Sequence, residues 1–346
     1  MADLWSWLAL PGGLALIGFH LFIVAMLLLD LGVVHRHAHA VSMTEAGIWS
    51  AVWVMLALVF AGGIWRYWGW WNPGHAAEGP QKAVEFVAGY VIEKSLSVDN
   101  LFVFLVIFRY FSVPAHLQHR VLVWGILGAM MLRAVLIVAG AALLHTFAWM
   151  GYVFGAFLVY TGYRIFRSAE GDVDPARNPL LRLARRLLPV VNDYESPRFW
   201  VRRGGRWFAT PLPLVLLVVE SSDVMFAIDS IPAIFAVTRD AFIVYTSNIF
   251  AILGLRALYF LLAGFLGRFR YLKAGLAGVL VLVGLKMVAE EAFGPYLESF
   301  GLRKEHWVWF SLASVAVILS VAVLASGWSS RGIALSHAAE DRVEKP

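Results

Sequence analysis

The stretch from residue 214 to residue 232 reads LVLLVVESSDVMFAIDSIP, and the stretch from 90 to 105 reads YVIEKSLSVDNLFVFL. Both are apolar enough to cross a membrane, yet together they hold five carboxylates: Glu93, Asp99, Glu220, Asp223 and Asp229. Facing lipid, these groups would cost roughly 12–17 kcal/mol, at about 2.5–3.5 kcal/mol each. They must therefore face an interior that solvates them with water, a bound cation or counter-ions. This pattern indicates a transport protein.

The composition is that of a polytopic membrane protein. The 346 residues are 60% hydrophobic and 15% charged, whereas soluble proteins have about 25% charged residues. The sequence predicts an all-α membrane protein with about nine transmembrane helices, each near the length of about 20 residues that a bilayer requires. We place these spans near residues 6–29, 46–65, 83–108, 121–143, 148–166, 211–236, 241–265, 274–291 and 307–327.

The basic residues predict the orientation in the membrane. With the N-terminus outside and the C-terminus in the cytoplasm, the inner connections hold eighteen Lys and Arg residues and the outer connections hold five. This asymmetry follows the positive-inside rule. The net charge of +5 therefore reflects topology, and no nucleic-acid partner is expected. The chain has no cysteine, which excludes disulfides, thiolate metal sites and iron–sulfur clusters.

We expect one transmembrane domain over residues 1–330 and a cytoplasmic tail over residues 331–346. Residues 167–210 form the long inner connection, with nine arginines. Two interpretations of this loop stay open. It is either a linker that obeys the positive-inside rule, or a surface that binds anionic lipids or serves regulation.

Two groups of three spans share a sequence pattern. Three short patterns recur in register: Leu-Arg-Ala at 132–134 and 255–257, Ser-x-Asp at 97–99 and 221–223, and Gly-x-basic at 162–164 and 284–286. Spans 3–5, about residues 83–166, and spans 6–8, about residues 211–291, are therefore predicted to be repeats. Because their starts lie an odd number of spans apart, the repeats are inverted. Such a 3+3 inverted repeat is typical of secondary transporters that bind substrate near the membrane midplane.

The polar side chains of these helices suit a hard metal ion. On a helix that advances about 100° per residue, Glu93 shares a face with Asn100, and Glu220 shares one with Asp223. Carboxylate, amide and hydroxyl oxygens favour Mn²⁺, Ca²⁺ or Mg²⁺. The predicted metal ligands are Glu93, Asp99, Asn100, Glu220, Asp223 and Asp229. For Asn248, a further metal ligand and a helix–helix hydrogen-bond partner are equal alternatives.

Asp229 requires a further assumption, because a straight helix would direct it away from Glu220. Pro232 removes a backbone donor and disfavours helix before it. We therefore expect the helix to break around residues 227–232, which would turn Asp229 inward.

Four basic residues deep in the predicted spans would oppose the acids: Lys94, Arg133, Arg256 and Lys286. Set against five carboxylates, they leave one negative charge, which suits a divalent cation that exchanges with a proton. The alternative is that acids and bases pair only to hold the helices together. Both roles are compatible if Arg133 and Arg256 pair with the acids when metal is absent.

The two acidic segments and a third stretch, SNIFAILGLRALYF at 247–260, resemble the TerC family, named for tellurium resistance, and especially its Alx-type members. The likeness covers about residues 15–325. It implies a bacterial inner-membrane protein related to cation exporters, with manganese efflux as its activity, and places the family's acidic motifs on the six predicted ligands. The family is also linked to tellurite resistance and redox modulation, for which this chain has no evident electron-transfer group.

The sequence thus predicts a secondary transporter, not an enzyme, that exports Mn²⁺, with proton exchange as a hypothesis. No cofactor is expected to be tightly bound. The expected partners are the metal substrate and the lipid bilayer, and assembly into a homo-oligomer stays open. The alternatives are transport of Ca²⁺ or several divalent cations, a non-transporting membrane scaffold or sensor linked to tellurite resistance or redox modulation, and an oxyanion handler that uses Arg133 and Arg256.

Overall fold

The computed structural model describes residues 11–32, 43–147, 149–167, 175–191, 194, 198–263, 271–299, 309–322 and 324–326. The helices in these ranges are α1 Pro11–Gly32, α2 Met43–Trp71, α3 Gly79–Tyr110, α4 Ala115–Thr146, α5 Met150–Arg167, α6 Pro179–Leu187, α7 Pro211–Phe235, α8 Ala241–Leu253, α9 Leu255–Ala263, α10 Leu272–Ser299 and α11 at 309–322. A short antiparallel hairpin consists of β1 Trp200–Arg203 and β2 Arg206–Ala209.

The protein is an all-α membrane protein. Each predicted span coincides with helix in the described ranges, and five helical stretches are long and apolar enough to cross a membrane: Met43–Trp71, Ala115–Thr146, Pro211–Phe235, Ala241–Leu261 and Trp309–Ser326. Helix α3 does not reach that level of apolarity because Glu93, Lys94 and Asp99 lie in its middle. The count of nine spans therefore stays a prediction.

Local sequence signals set several helix starts. Proline opens α7 at Pro211, where its fixed backbone angle suits the first helical position and its missing N–H costs nothing. Asp240 caps α8, since its side chain accepts hydrogen bonds from the backbone N–H groups of Phe242 and Ile243. Helix α8 ends at Gly254, and α9 continues after it.

The predicted break around residues 227–232 is wrong. Helix α7 continues through Pro232 to Phe235. Because Pro232 lies in the last turn, its missing N–H leaves one carbonyl without a helical partner, near an end where helical hydrogen bonds already run out. Asp229 therefore keeps the direction that a straight helix gives it.

The arginine-rich loop is folded against the ends of the helices at the α3–α4 connection. In its described part it contains α6 and the β1–β2 hairpin. The Tyr194 hydroxyl donates a 2.8 Å hydrogen bond to the carbonyl oxygen of Phe111, which follows α3, and the guanidinium of Arg120 lies 5.5 Å from the ring centre of Phe199. The loop is thus a packed layer with structure of its own.

The helices that carry the predicted site form the centre of the bundle. Helix α3 packs on α8, α4 packs on α7, and α5 packs on α10, while α3 also contacts α7 and α4 also contacts α8. Helix α2 covers α3 from outside this group. The polar faces of α3, α4, α7 and α8 therefore meet in the interior.

Candidate metal-binding site

Arg133 of α4 lies at the centre of a buried polar group. Its guanidinium donates to Oε1 of Glu93 on α3, and its Nη2 lies 3.3 Å from Oδ1 of Asp223 on α7. Its Nη1 also donates to Oγ of Ser230 at 3.3 Å and to Oδ1 of Asn248, on α8, at 3.4 Å. These five side chains are all buried. We call them the Arg133 cluster.

Helix periodicity and small residues explain why these side chains meet. Asp223 and Ser230 are seven residues apart and so lie on one face of α7. On the opposite side of the cluster, α3 and α8 approach closely at Gly89, where an added Cβ would lie 2.8 Å from Oγ of Ser247. That approach places Glu93, one turn after Gly89, beside Asn248, the residue after Ser247.

The cluster is short of positive charge and of hydrogen-bond partners. Its two carboxylates and one guanidinium leave one negative charge. Three buried polar atoms in or beside the cluster have no hydrogen-bond partner in the described part of the chain: Oε2 of Glu93, Nδ2 of Asn248, and Oγ of Ser97 one turn along α3. Buried polar groups are nearly always hydrogen-bonded or bound to water or an ion. The cluster can therefore accept a further ligand on the Glu93 side.

A small cavity adjoins the cluster. Its volume is about 10 Å³, and its polar lining consists of Ser97, Asn100, Arg133 and Asp223, with apolar side chains around them. A cavity of this size holds about one water-sized species. Two of the predicted ligands, Asn100 and Asp223, thus border a space that fits a single ion.

Other predicted ligands lie beside the cluster or away from it. Glu220 is half-buried one turn before Asp223 and packs on Gly128, where an added Cβ would collide with its carboxylate. Asp229 accepts a 3.3 Å hydrogen bond from Oγ1 of Thr161 on α5, away from Arg133. The side chain of Asp99 lies outside the described part of the chain. Among the side chains that are described, no three His, Asp or Glu groups are close enough to hold a metal ion by themselves.

Of the four predicted counter-charges, Arg133 pairs with predicted ligands. Lys94 donates to a backbone carbonyl of α8 at 3.3 Å. Nη1 of Arg256, which shares the Leu-Arg-Ala pattern with Arg133, lies 3.1 Å from Nδ1 of His119. Lys286 donates to the carbonyl after the end of α7 at 2.8 Å and lies 3.7 Å from Glu290. The two arginines of the recurring Leu-Arg-Ala pattern therefore lie in different surroundings.

Sequence reasoning missed two parts of the arrangement. Ser230 could have been found from its seven-residue spacing from Asp223. Glu85 could not, because one of its partners comes from a distant part of the chain: besides a 3.0 Å hydrogen bond from the neighbouring Lys82, it accepts one from Oγ1 of Thr238 at 2.5 Å. Lys82 also lies 3.3 Å from Asp240. This network ties the start of α3 to the end of α7.

Comparison with known sequences decides the family. The sequence profile described as "Integral membrane protein TerC family" matches residues 78–333, which include every residue of the Arg133 cluster. The chain belongs to the TerC family. The membership expected from the acidic motifs is therefore confirmed.

Relatives of this TerC protein match it over most of their length. An uncharacterized membrane protein of Myxococcus xanthus is 49% identical over 326 residues, 94% of this chain and 96% of that protein. Alx of Escherichia coli K12, named as a proposed membrane-bound redox modulator, is 52% identical over 287 residues, 82% of this chain and 89% of Alx. An uncharacterized membrane protein of Rickettsia felis is 40% identical over 269 residues, 78% of this chain and 86% of that protein. No solved structure matches the chain.

Proposed function

We propose that this TerC-family protein is a secondary transporter that exports a divalent cation, Mn²⁺ above others, across the bacterial cytoplasmic membrane. The observation that carries the proposal is the Arg133 cluster with its adjoining cavity. Two buried carboxylates share one guanidinium, Oε2 of Glu93 has no partner in the described part of the chain, and Asn100 and Asp223 border the cavity. Ionisable groups inside a membrane typically mark substrate or ion pathways.

The proposed substrate takes the place that the Arg133 guanidinium now occupies. Asp223, Glu93 and Asn100 supply hard oxygen ligands, which suit Mn²⁺, Mg²⁺ and Ca²⁺. Asp99 precedes Asn100 in α3, and Glu220 lies one turn before Asp223 in α7. These two carboxylates complete the proposed set of ligands. Because Arg133 holds both Glu93 and Asp223, a cation must displace it from at least one of them. Arg133 is then the internal counter-cation that keeps the two acids compensated between transport events.

The small number of candidate oxygen ligands at the cavity favours Mn²⁺ over Ca²⁺ as the proposed substrate. Ca²⁺ takes six to eight oxygen ligands at about 2.3–2.6 Å and needs a roomy site. The cavity of about 10 Å³ is bordered by two candidate oxygen-bearing ligands besides Ser97. The same geometry disfavours an oxyanion, since the donors of Arg133 already point at carboxylates.

The helix packing supports an inverted repeat, with α3–α5 as one unit and α7–α10 as the other. In such a repeat α3 corresponds to α7 and α4 corresponds to α8. A contact between α3 and α8 then implies an equivalent contact between α7 and α4, and both contacts are present. Helix α5 corresponds to α10, so the contact between these two helices is its own equivalent. There, the register that pairs Gly162 with Gly284 also pairs Gly155 with Ala277. An added Cβ on Gly155 would lie 2.8 Å from the carbonyl oxygen of Gly284, and one on Gly162 would lie 2.7 Å from that of Ala277.

These equivalent approaches are what a pseudo-two-fold axis through the site would produce, and inverted repeats of this kind rock about a central substrate site. With nine spans, the arginine-rich loop lies in the cytoplasm and the N-terminus outside, as the positive-inside rule favours. Transport in this orientation would carry the cation from the side of the arginine-rich loop to the opposite side.

Proton exchange is the proposed driving force. The cluster has one more carboxylate than it has cations. A proton on that carboxylate can therefore compensate its charge while the metal-free transporter returns to the side where it loads metal. This part of the proposal fails if purified protein in vesicles moves Mn²⁺ at the same rate with and without an imposed pH gradient.

The test of the proposed function is Mn²⁺ flux into vesicles that contain purified protein and a metal-sensitive dye. Asp223→Asn removes one charge from the cluster with little change in shape, and we expect flux to fall at least about tenfold, or about 1.4 kcal/mol. Glu78→Gln is the matched control, because Glu78 lies half-exposed in the connection between α2 and α3. Equal flux in wild type and Asp223→Asn would mean that the carboxylate serves only to pair with Arg133. Ca²⁺ tested in parallel decides the selectivity.

A further inference from the structure

Helix α6 has an apolar face that the rest of the described chain does not cover. Leu181 is 1% exposed and packs against the first turns of α7. Leu180, Leu183 and Leu187 are 44%, 52% and 70% exposed. Their spacing of three and four residues places them on one stripe of the helix. A nine-residue helix thus buries one leucine against the bundle and presents three others outward.

The polar side of α6 is basic. Arg182, Arg185 and Arg186 are all exposed, and they lie opposite the leucine stripe on a helix of 100° per residue. Arg185 also stacks on Phe111, with its guanidinium carbon 6.0 Å from the ring centre. A leucine stripe with arginines on the other side is the pattern of helices that lie at a membrane surface.

The contacts at its two ends fix where α6 lies. Before the helix, the Asn178 side chain caps it through the N–H groups of residues 180 and 181, and its Nδ2 donates a 2.7 Å hydrogen bond to Oγ of Ser221 in the middle of α7. After the helix, Val190 pairs with Ala209, just before α7 begins. Helix α6 therefore runs antiparallel to the first half of α7, from the level of Ser221 to the end of the bundle that carries the arginine-rich loop.

We propose that α6 is an interfacial helix that binds the anionic phospholipids of the cytoplasmic leaflet. Leu180, Leu183 and Leu187 enter the boundary between headgroups and acyl chains, and Arg182 and Arg186 reach the lipid phosphates. Long arginine side chains extend readily from such a depth to the headgroups. Anionic lipids attract basic segments beside a membrane-spanning helix. The arginines of α6 therefore favour anionic lipids over neutral ones.

This placement connects the lipid surface to the transport helix. Ser221, which accepts the hydrogen bond from Asn178, lies between Glu220 and Asp223 in the sequence. A helix held by lipid phosphates is therefore joined directly to the turn of α7 that carries two of the predicted ligands. The lipid contact itself does not depend on what the protein transports.

The test measures the depth of α6 in the membrane and uses the lack of cysteine in the chain. Leu183→Cys gives a single labelling site for an environment-sensitive fluorophore on the full-length protein in vesicles. Arg203→Cys, on the exposed β1 strand of the same loop, is the matched reference. In vesicles with phosphatidylglycerol, we expect nitroxide-bearing lipid to quench the Leu183→Cys label at least about twofold more than the reference label. Aqueous iodide should show the opposite order.

Two comparisons test the role of charge. Arg182→Gln, Arg185→Gln and Arg186→Gln together should reduce lipid quenching to the value seen in neutral phosphatidylcholine vesicles. The same three changes at Arg202, Arg203 and Arg206 should leave it unchanged. The proposal is overturned if iodide quenches the labels at 183 and 203 equally, or if both quenchers are excluded from the label at 183, which would mean that protein covers this face. Quenching that is indifferent to lipid charge would overturn the anionic specificity.

Discussion

Replacing Arg133 with glutamine tests the central feature of the site, the guanidinium shared by two carboxylates. Glu93 and Asp223 are 0% and 5% exposed, so neither can exchange its pairing with Arg133 for bulk water. Breaking a buried pair by removing one partner costs about 3–5 kcal/mol, because the other charge is left uncompensated. We therefore expect metal-free Arg133→Gln to be less stable than wild type by about this amount, and its unfolding temperature to fall by roughly 5–15 °C.

The same variant should respond more strongly to Mn²⁺. In the wild type, a cation that binds Glu93 and Asp223 must first displace Arg133, whereas in Arg133→Gln the two carboxylates have no competing cation. A ligand present at 100 times its Kd stabilises the folded state by about 2.7 kcal/mol, so Mn²⁺ should recover a large part of the lost stability in the variant. The same Mn²⁺ concentration should stabilise the wild type less.

The assay is thermal unfolding of detergent-purified protein with and without Mn²⁺. Arg109→Gln is the matched control, because Arg109 is exposed in the last turn of α3 and its loss changes the net charge equally. An unfolding temperature for Arg133→Gln equal to that of Arg109→Gln would refute the structural role of the shared pair. If Arg133→Gln is destabilised but Mn²⁺ does not stabilise it, the structural role of the ion pair is supported and the cluster is refuted as a metal site.

Two further predictions concern the α5–α10 contact and Asp229. Gly155→Ala and Gly162→Ala should each destabilise the protein by about 1–3 kcal/mol through overpacking, whereas Gly62→Ala, where nothing lies within 4 Å of the added Cβ, should be neutral or stabilising in the same unfolding assay. Equal behaviour of all three variants would contradict the close helix approach. Asp229→Asn keeps an acceptor for the Thr161 hydroxyl, so the rise in unfolding temperature that Mn²⁺ induces should persist in this variant. If that rise disappears, Asp229 belongs among the metal ligands.

The arrangement of the cluster shows why local patterns located the acids and yet could not pair them. Periodicity gives the face of a side chain relative to its own helix, but not the neighbour that this face meets. Arg133 and Arg256 occupy the same place in the recurring Leu-Arg-Ala pattern, yet Arg133 lies between Glu93 and Asp223 whereas Arg256 contacts His119. The difference depends on helix approaches, such as that of α3 and α8 at Gly89, which no single segment specifies.

The error at Pro232 has a similar origin. Local rules correctly state that proline disfavours the helix before it, but the cost depends on where in the helix the proline lies. In the last turn of α7 the lost hydrogen bond is a small fraction of the stabilisation from packing on α4, so the helix remains intact. Asp229 consequently contacts Thr161 on α5 and does not turn toward Arg133.

The sequence by itself determined the membrane class, the positions of the helices, the acidic residues of the interior and the TerC family, because hydrophobic length and misplaced charge are properties of single segments. Tertiary structure alone decided which arginine holds the acids, where Asp229 points, and that the arginine-rich loop folds back to place Asn178 on Ser221. These outcomes depend on contacts between residues up to 115 positions apart. Their energies are set by close packing and burial, which the order of residues along one helix does not contain.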